Sequence, residues 1–236
     1  MEFYTSVGTW RFNHPKWTFP TFETSGPLYF DAKDLGHPLI AGENVVTNCF
    51  SLTDTNRLSI ITGSNMSGKS TFLRTIGLNI ILGYIGAPVF ASSCRIQTGV
   101  RLISYMRIKD SLLQNTSTFK AEIDRIRLII EAIEQQGKVI LFIDEMLRGT
   151  NSEDKLAGSL AMLDRILQSK AYGLIATHDL RMAEINEENR HQTKNYYFEF
   201  STNGGDLAFD YRLREGVCKS FNASLLLQSI GLFLKK

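Results

Sequence analysis

Three short runs of mostly apolar residues, each closing on a polar residue, stand out along the chain. They cover residues 58–62, 139–144 and 172–177, and each has the length of a strand and contains β-branched side chains. Strands of a parallel sheet have this composition, because helices cover both faces of such a sheet. The pattern therefore predicts three buried central strands.

Between these runs, apolar residues return every three or four positions, which is the spacing of one helix face. The spacing predicts helices over about 69–84, from 117 to Gly137, and over about 153–169. Glycine at the end of the second segment is a common stop signal for a helix. Strands that alternate with helices indicate an α/β fold with a mostly parallel central sheet flanked by helices.

The two ends of the chain and residues 101–108 have different patterns. Residues 195–200 and 207–213 alternate around an Asn-Gly-Gly turn, which predicts a hairpin and hence an antiparallel β portion. Residues 101–108 alternate in part like a further strand. Residues 1–30 are rich in aromatics and contain three prolines, so we expect an extended segment packed against the core. The apolar positions of residues 222–236 predict a short amphipathic helix.

Composition narrows the class of protein. Hydrophobic residues make up 43% of the 236 residues and charged residues 21%, as in globular proteins. The net charge of +2 neither requires nor excludes a polyanionic partner. The longest apolar stretch, 76–91, is broken by Gly, Asn and Pro and is too short to span a bilayer, so we expect no membrane contact. Three widely spaced cysteines favour a reducing, cytoplasmic location.

A glycine-rich loop joins the first predicted strand to the first predicted helix and fits the pattern G-x-x-x-x-G-K-[ST]. Glycines let backbone N–H groups converge on phosphate oxygens, and the N-terminus of the helix favours the same anion. Lys69 would place its charge on the outer phosphates, and the Ser70 hydroxyl would bind Mg²⁺. A chance glycine-rich turn is the alternative, but the flanking strand and helix argue against it. We therefore expect a nucleotide site at Gly63, Ser64, Met66, Ser67, Gly68, Lys69, Ser70 and Thr71.

Polar residues that follow the other two predicted strands complete the chemistry. Asp144 is placed to bind the metal through water, and Glu145 is placed to polarise the attacking water. His178 could hydrogen-bond the γ-phosphate or that water. In isolation the acidic pair would be a solvated helix cap and the histidine a structural residue. Beside the glycine-rich loop, we interpret Glu145, His178 and Lys69 as catalytic and Ser70 with Asp144 as metal ligands.

Four segments, in this order and spacing, resemble the ATPase domain of the MutS family, a branch of the ABC-type ATPases. They read TGSNMSGKSTFLRTIG, STFKAE, LFIDEMLRGTNSEDKLAGS and ATHDL. The resemblance implies a P-loop NTPase fold of ABC type for residues 37–236, and it makes residues 1–36 a connecting segment, the remnant of a truncated upstream domain. Ser64 stands where the family has proline and Ser67 where it has glycine, which indicates a divergent branch.

The resemblance also implies further site residues and partners. Asn65 would face the phosphates, and Asp144 with Glu145 would form the Walker B pair. Ser117 would approach the γ-phosphate held by the opposite subunit, and residues 148–152 would lie across that interface. ATP would then join two copies into a homodimer, and hydrolysis would release them. DNA would be contacted only through domains outside this chain.

Several functions are compatible with these expectations. The preferred one is a Mg²⁺-dependent ATPase that dimerises around ATP and drives clamp motions in a larger, DNA-repair-like protein. A nucleotide-gated dimerisation module with negligible turnover is the first alternative. A nucleic-acid binding module is the second, but the sequence has no dense Lys/Arg stripe, so we expect weak or no DNA binding by this chain alone. A small-molecule kinase is the remote alternative, since it would not need the STFKAE segment that begins at Ser117.

Overall fold

The computed structural model describes residues 1–40, 45–64, 66–106, 118–135, 137–184, 191–203 and 206–218. The helices within them are α1 (Glu2–Asn13), α2 (Lys69–Tyr84), α3 (Thr118–Glu134), α4 (Ser152–Gln168) and α5 (Arg181–Glu184). The strands are β1 (Thr21–Glu23), β2 (Phe30–Leu35), β3 (Asn48–Leu52), β4 (Leu58–Thr62), β5 (Ser93–Gln97), β6 (Val100–Tyr105), β7 (Lys138–Asp144), β8 (Tyr172–Thr177), β9 (Thr193–Asn203) and β10 (Asp206–Glu215). None of these helices is long and apolar enough to cross a membrane.

The larger sheet has six strands in the order β10-β9-β4-β8-β7-β6. Five of them run parallel, from β9 to β6, and β10 pairs with β9 in the antiparallel sense. Every residue of β4 and β8 is buried, because helices and further strands cover both faces of the sheet. The predicted α/β fold, with a mostly parallel sheet and an antiparallel portion, is confirmed.

A second sheet of four strands, in the order β1-β5-β2-β3, was not predicted. Its strand β2 pairs antiparallel with both β3 and β5, and β1 pairs parallel with β5. The strands are short, and β2 and β3 mix buried with partly exposed positions. Such strands lack the continuous apolar runs that identified the larger sheet, so no local pattern marked them.

The core lies on both sides of the larger sheet, and β7 shows how one strand supplies both. Ile140 and Phe142 belong to the apolar cluster that includes α2 and the smaller sheet. Val139 and Leu141 belong to the cluster that includes α3 and α4. Successive side chains of a strand point to opposite faces, so one apolar run serves two layers. The result is a three-layer arrangement with the larger sheet in the middle.

The N-terminal segment corrects one prediction. Residues 2–13 form helix α1 rather than an extended segment, and none of its residues is buried. The helix ends before Pro15, so no proline interrupts its backbone hydrogen bonds. After α1, Trp17 and Leu28 are buried, which confirms that the aromatic-rich segment packs against the core. The domain boundary placed between residues 36 and 37 stays a prediction, as does the helix over 222–236, which lies outside the described residues.

Strand order brings the predicted chemical residues to one edge of the larger sheet. Strand β8 lies between β4 and β7, and all three are parallel, so their carboxyl ends meet. These ends are followed by the glycine-rich loop, by Glu145 and by His178. Open parallel sheets bind ligands at this edge.

Candidate functional site

The glycine-rich loop turns between the end of β4 and the start of α2. Its backbone takes left-handed conformations at Met66 (φ 71°) and Gly68 (φ 103°). At Gly63 (φ 153°), a Cβ atom would lie 2.7 Å from the Ser67 Oγ and 2.9 Å from the carbonyl oxygen of Phe198. The loop therefore passes so close to its neighbours that glycine is required at this position.

The side chain of Lys69 folds back over the loop. Its ammonium group donates hydrogen bonds to the carbonyl oxygens of Gly63 (2.7 Å) and Ser64 (2.8 Å). Only 5% of the residue is exposed, and this burial lowers the pKa of Lys69, while the nearby carboxylates of Glu145 and Asp144 act in the opposite direction. A cation thus stands at the centre of the loop with neutral carbonyl partners.

Two hydroxyl groups of the loop are buried without a hydrogen-bond partner among the described residues. They are the Oγ atoms of Ser64 and Ser67. Ser67 is 1% exposed and contributes to the wall of the cavity above the loop. Buried polar atoms normally have partners, so these two hydroxyl groups are candidates for bonds to a ligand of the loop. Asn65 lies outside the described residues.

The acidic pair follows β7 directly. Asp144 is the last residue of the strand and is 4% exposed. Glu145 takes a left-handed conformation (φ 54°), and its N–H donates to the carbonyl oxygen of Ala176 in β8 (3.0 Å). Non-glycine residues rarely adopt this conformation, and it is concentrated at functional sites. Here it turns the chain so that both carboxylates face the same cavity.

Both carboxylate oxygens of Glu145 have a partner. Oε1 lies 2.9 Å from Nδ1 of His178, and Oε2 lies 3.2 Å from Nε of Arg148. The hydrogen bond with His178 is the main cause that lowers the pKa of Glu145 to about 2, while burial opposes the shift. His178 itself does not line the cavity, so it reaches the site through Glu145.

The segment after Glu145 is held by a residue that the sequence analysis did not single out. The carboxylate of Glu122 in α3 accepts hydrogen bonds from the backbone N–H groups of Arg148 and Gly149, each at 3.3 Å. Glu122 is 5% exposed. Asn151 then caps α4 by accepting from the N–H groups of the second and third residues after it. Ser117, which precedes α3, lies outside the described residues.

A cavity of about 500 Å³ extends from the glycine-rich loop across the gap between the two sheets. Of the predicted site residues, Met66, Ser67, Gly68, Lys69, Ser70, Thr71, Asp144 and Glu145 line it. Gly63 and Ser64 lie beneath it as partners of Lys69. Among the described residues, no cluster of three or more His, Cys, Asp or Glu side chains could hold a metal ion.

The side wall of the cavity, which adjoins the loop, was not predicted. It is formed by Leu35, His37, Ile40, Val45, Val46, Asn48, Phe198 and Tyr211. Tyr211 lies so close to the loop that a Cβ on Gly68 would be 3.1 Å from its Cδ1 atom. No local pattern marks these residues, because they come from strands and connections on both sheets. Tyr211 lies in a segment of alternating pattern, where an aromatic residue is typical of ordinary packing.

The fold and the loop together define a mixed α/β protein with a candidate site at the carboxyl edge of its parallel strands. A comparison with protein families gives a finer assignment. The family described as MutS domain V matches residues 59–226. This match covers more than half of the chain, so the protein belongs to the MutS family.

Individual relatives agree with this assignment. MutS protein homolog 4 of Mus musculus is 32% identical over an alignment of 197 residues. The alignment covers 80% of this chain and 20% of that protein. The DNA mismatch repair protein MSH4 of Arabidopsis thaliana is 30% identical and covers 92% of this chain and 27% of its own length. The DNA mismatch repair protein MutS of Thermotoga neapolitana is 30% identical, with 79% and 23% covered. This chain thus spans about a quarter of the length of these relatives.

Proposed function

We propose that this chain binds ATP with Mg²⁺ and hydrolyses it, as an ABC-type ATPase domain of the MutS family. The observation that carries the proposal is the convergence on one cavity of Lys69, the unpartnered Ser67 hydroxyl and the carboxylates of Asp144 and Glu145. Each group suits one part of a nucleoside triphosphate reaction.

The loop suits phosphate because it offers donors and a cation. A phosphate oxygen would replace the carbonyl partners of Lys69, exchanging two neutral acceptors for a charged one. The Ser67 hydroxyl and the N-terminal N–H groups of α2 supply further donors. The lowered pKa of Lys69 is caused first by burial, and a phosphate anion would oppose that effect.

Ser70 and Asp144 are the residues that would hold Mg²⁺. The magnesium ion prefers oxygen ligands and usually keeps several waters, so one hydroxyl, one carboxylate and phosphate oxygens suffice. When bound, the ion neutralises charge that develops on the phosphate oxygens.

Glu145 is the residue proposed to orient the attacking water. With a pKa near 2 it is a carboxylate at neutral pH, so it accepts a hydrogen bond from water. Such a weak base orients and polarises water better than it removes a full proton. His178 fixes the position of the carboxylate through the 2.9 Å contact, which assigns it a positioning role.

The side wall of the cavity suits a nucleobase. It combines aliphatic side chains such as Val45 and Ile40 with the ring of Tyr211, which is 46% exposed. Stacking on an aromatic ring contributes about 1–3 kcal/mol per base and tolerates different bases. We assign the base to this wall and the phosphates to the loop.

A homodimer around two nucleotides is part of the proposal. Met66 in the loop is 85% exposed and Phe119 at the start of α3 is 41% exposed, so large apolar side chains stand on the surface near the site. We propose that these two side chains contribute to the contact surface between the subunits. Ser117 and residues 148–152 are the proposed contributions to the opposite subunit. Contact with DNA, suggested by the names of the relatives, is proposed only for the longer protein.

A nucleotide-gated module with very slow turnover is the second candidate function. The paired state of Glu145 favours it, because Arg148 occupies one carboxylate oxygen and His178 the other. Each partner occupies one acceptor site of its oxygen, which limits the directions from which a water can donate. Under this reading, ATP binding would control dimerisation while hydrolysis stays slow.

The test is ATP hydrolysis measured over a range of protein concentrations, with sedimentation of Glu145→Gln in the presence and absence of ATP. The ATPase predicts a specific activity that rises with concentration and a Glu145→Gln variant that is inactive but dimeric with ATP. Glu131→Gln, an exposed change on α3, serves as the matched control and should behave like the parent. If Glu145→Gln hydrolysed ATP at the parental rate, Glu145 would not be the residue that orients the attacking water. Dimerisation without turnover in the parent would favour the second candidate.

A further inference from the structure

Strand β10 is interrupted where it passes the cavity. Asp206–Phe209 pair in register with β9, and so do Leu213–Glu215, but the register shifts between the two segments. Tyr211 lies in this bulge and takes a left-handed conformation (φ 54°). An aromatic residue rarely adopts that conformation, so other contacts must hold it there.

Two sets of contacts hold the bulge. Within β10, the carboxylate of Asp210 accepts from the N–H of Arg212 (3.0 Å) and pairs with Arg214. The second set comes from the other sheet. Asn48, the first residue of β3, donates from Nδ2 to the carbonyl oxygen of Tyr211 (3.1 Å). Its Oδ1 accepts from the N–H of Leu213 (2.7 Å). A single amide thus supplies a donor and an acceptor to two backbone groups of the bulge, as a paired strand would.

This bridge determines where the Tyr211 ring stands. The bulge turns the side chain toward the loop, until its Cδ1 is 3.1 Å from the Cβ position of Gly68. The ring of Phe209 stacks behind it, with centroids 6.0 Å apart. Asn48 and Tyr211 both line the cavity, and the Tyr211 ring stands beside the phosphate loop.

We infer that Asn48 is a positioning residue for nucleobase recognition, because it holds the β10 bulge that places Tyr211 against the base. This inference rests on the proposed nucleotide binding and adds to it a residue that joins the two sheets. Only a side chain with both a donor and an acceptor at this reach satisfies the two backbone groups. Alanine would leave both groups without that partner, and the bulge would lose these hydrogen bonds to the other sheet.

The experiment compares two ligands that differ in the base. ATP carries a base and inorganic tripolyphosphate does not, so the ratio of their dissociation constants reports contact with the base alone. It is measured for the 236-residue chain and for Asn48→Ala, Tyr211→Ala and the double variant. Asn56→Ala is the matched control, because Asn56 is a buried amide with side-chain hydrogen bonds of its own and does not line the cavity.

We expect Tyr211→Ala to weaken ATP binding about tenfold, as the loss of one stacking contact predicts. Asn48→Ala should weaken it by a similar factor, and the double variant should show no further loss beyond about twofold. Tripolyphosphate affinity should stay at the parental value in all of them, which also shows that the loop remains folded. Asn56→Ala should leave the ratio unchanged.

Three results would overturn the inference while leaving nucleotide binding intact. They are an unchanged ratio in Asn48→Ala, an equal loss for both ligands in that variant, and additive losses in the double variant. Failure of the parent to bind ATP at all would instead overturn the proposed function, and this inference with it. The parental measurement therefore separates the two failures.

Discussion

Glu145 couples the candidate site to the acid stability of the protein. Its pKa in the folded chain is about 2, against an ordinary value of 4.5, and the hydrogen bond with His178 is the largest cause. The charges of Arg148 and Lys155 add to the shift, and burial opposes it. A carboxyl group with a depressed pKa stabilises the folded state above its unfolded pKa and loses that contribution as the pH falls toward the folded value.

The size of the effect follows from the shift. A depression of roughly 2.5 units at about 1.36 kcal/mol per unit gives about 3.4 kcal/mol in full. By pH 3.5 the linkage relation gives a loss of about 1.4 kcal/mol. The side chain of His178 is 49% exposed, so solvent screening reduces this figure. We expect the free energy of unfolding to fall about 1 kcal/mol more in the parent than in Glu145→Gln between pH 6 and pH 3.5.

Urea titrations of both proteins at several pH values across this range measure the difference directly. The other carboxylates titrate in both proteins and cancel in the comparison. His178→Ala should show a smaller pH-dependent loss than the parent, because it lacks the main cause of the shift. Glu131→Gln, an exposed change, should follow the parent. Parallel curves for the parent and Glu145→Gln would refute the reasoning, since they would mean an ordinary pKa for Glu145.

Three further predictions concern the support of the site. Gly63→Ala should destabilise the protein by about 2 kcal/mol and abolish ATP binding, because its Cβ would meet the Ser67 Oγ at 2.7 Å. Gly137→Ala, with nothing near its Cβ position, is the control, and thermal unfolding with ATP titration checks both. Glu122→Gln should cost about 1–3 kcal/mol, since it weakens a buried acceptor of two N–H groups; urea unfolding measures it, and an unchanged midpoint would contradict it. Ile76→Ala, fully buried in α2, should cost about 2–5 kcal/mol in the same assay, and a loss below 1 kcal/mol would contradict it.

Residues that carry their signal locally were predictable. The strand before the loop, the loop itself and helix α2 follow from one apolar run, a glycine pattern and helical spacing. The acidic pair was predictable for the same reason, because it directly follows a buried strand. Residues 2–13 were mispredicted, since their aromatic side chains suggested burial whereas the helix they form buries none of them.

Long-range pairs were not predictable from the sequence. Asn48 and Tyr211 are 163 positions apart, and Glu122 and Arg148 are 26 apart. Asn48 and Glu122 look ordinary in their own segments. The first is a polar residue at the start of a strand, and the second is an acidic residue in a helix. Their pairing depends on how the two sheets and α3 pack, which no local period encodes.

The sequence by itself thus determined the secondary structure around the loop and the residue types that suit a phosphate, because steric and hydrophobic preferences act over a few neighbouring residues. The tertiary structure alone decided that His178 and Arg148 hold the two oxygens of Glu145, and that Asn48 bonds the backbone of Tyr211 beside the loop. These contacts exist because parallel strands bring their carboxyl ends to one edge, where segments distant in the chain become neighbours.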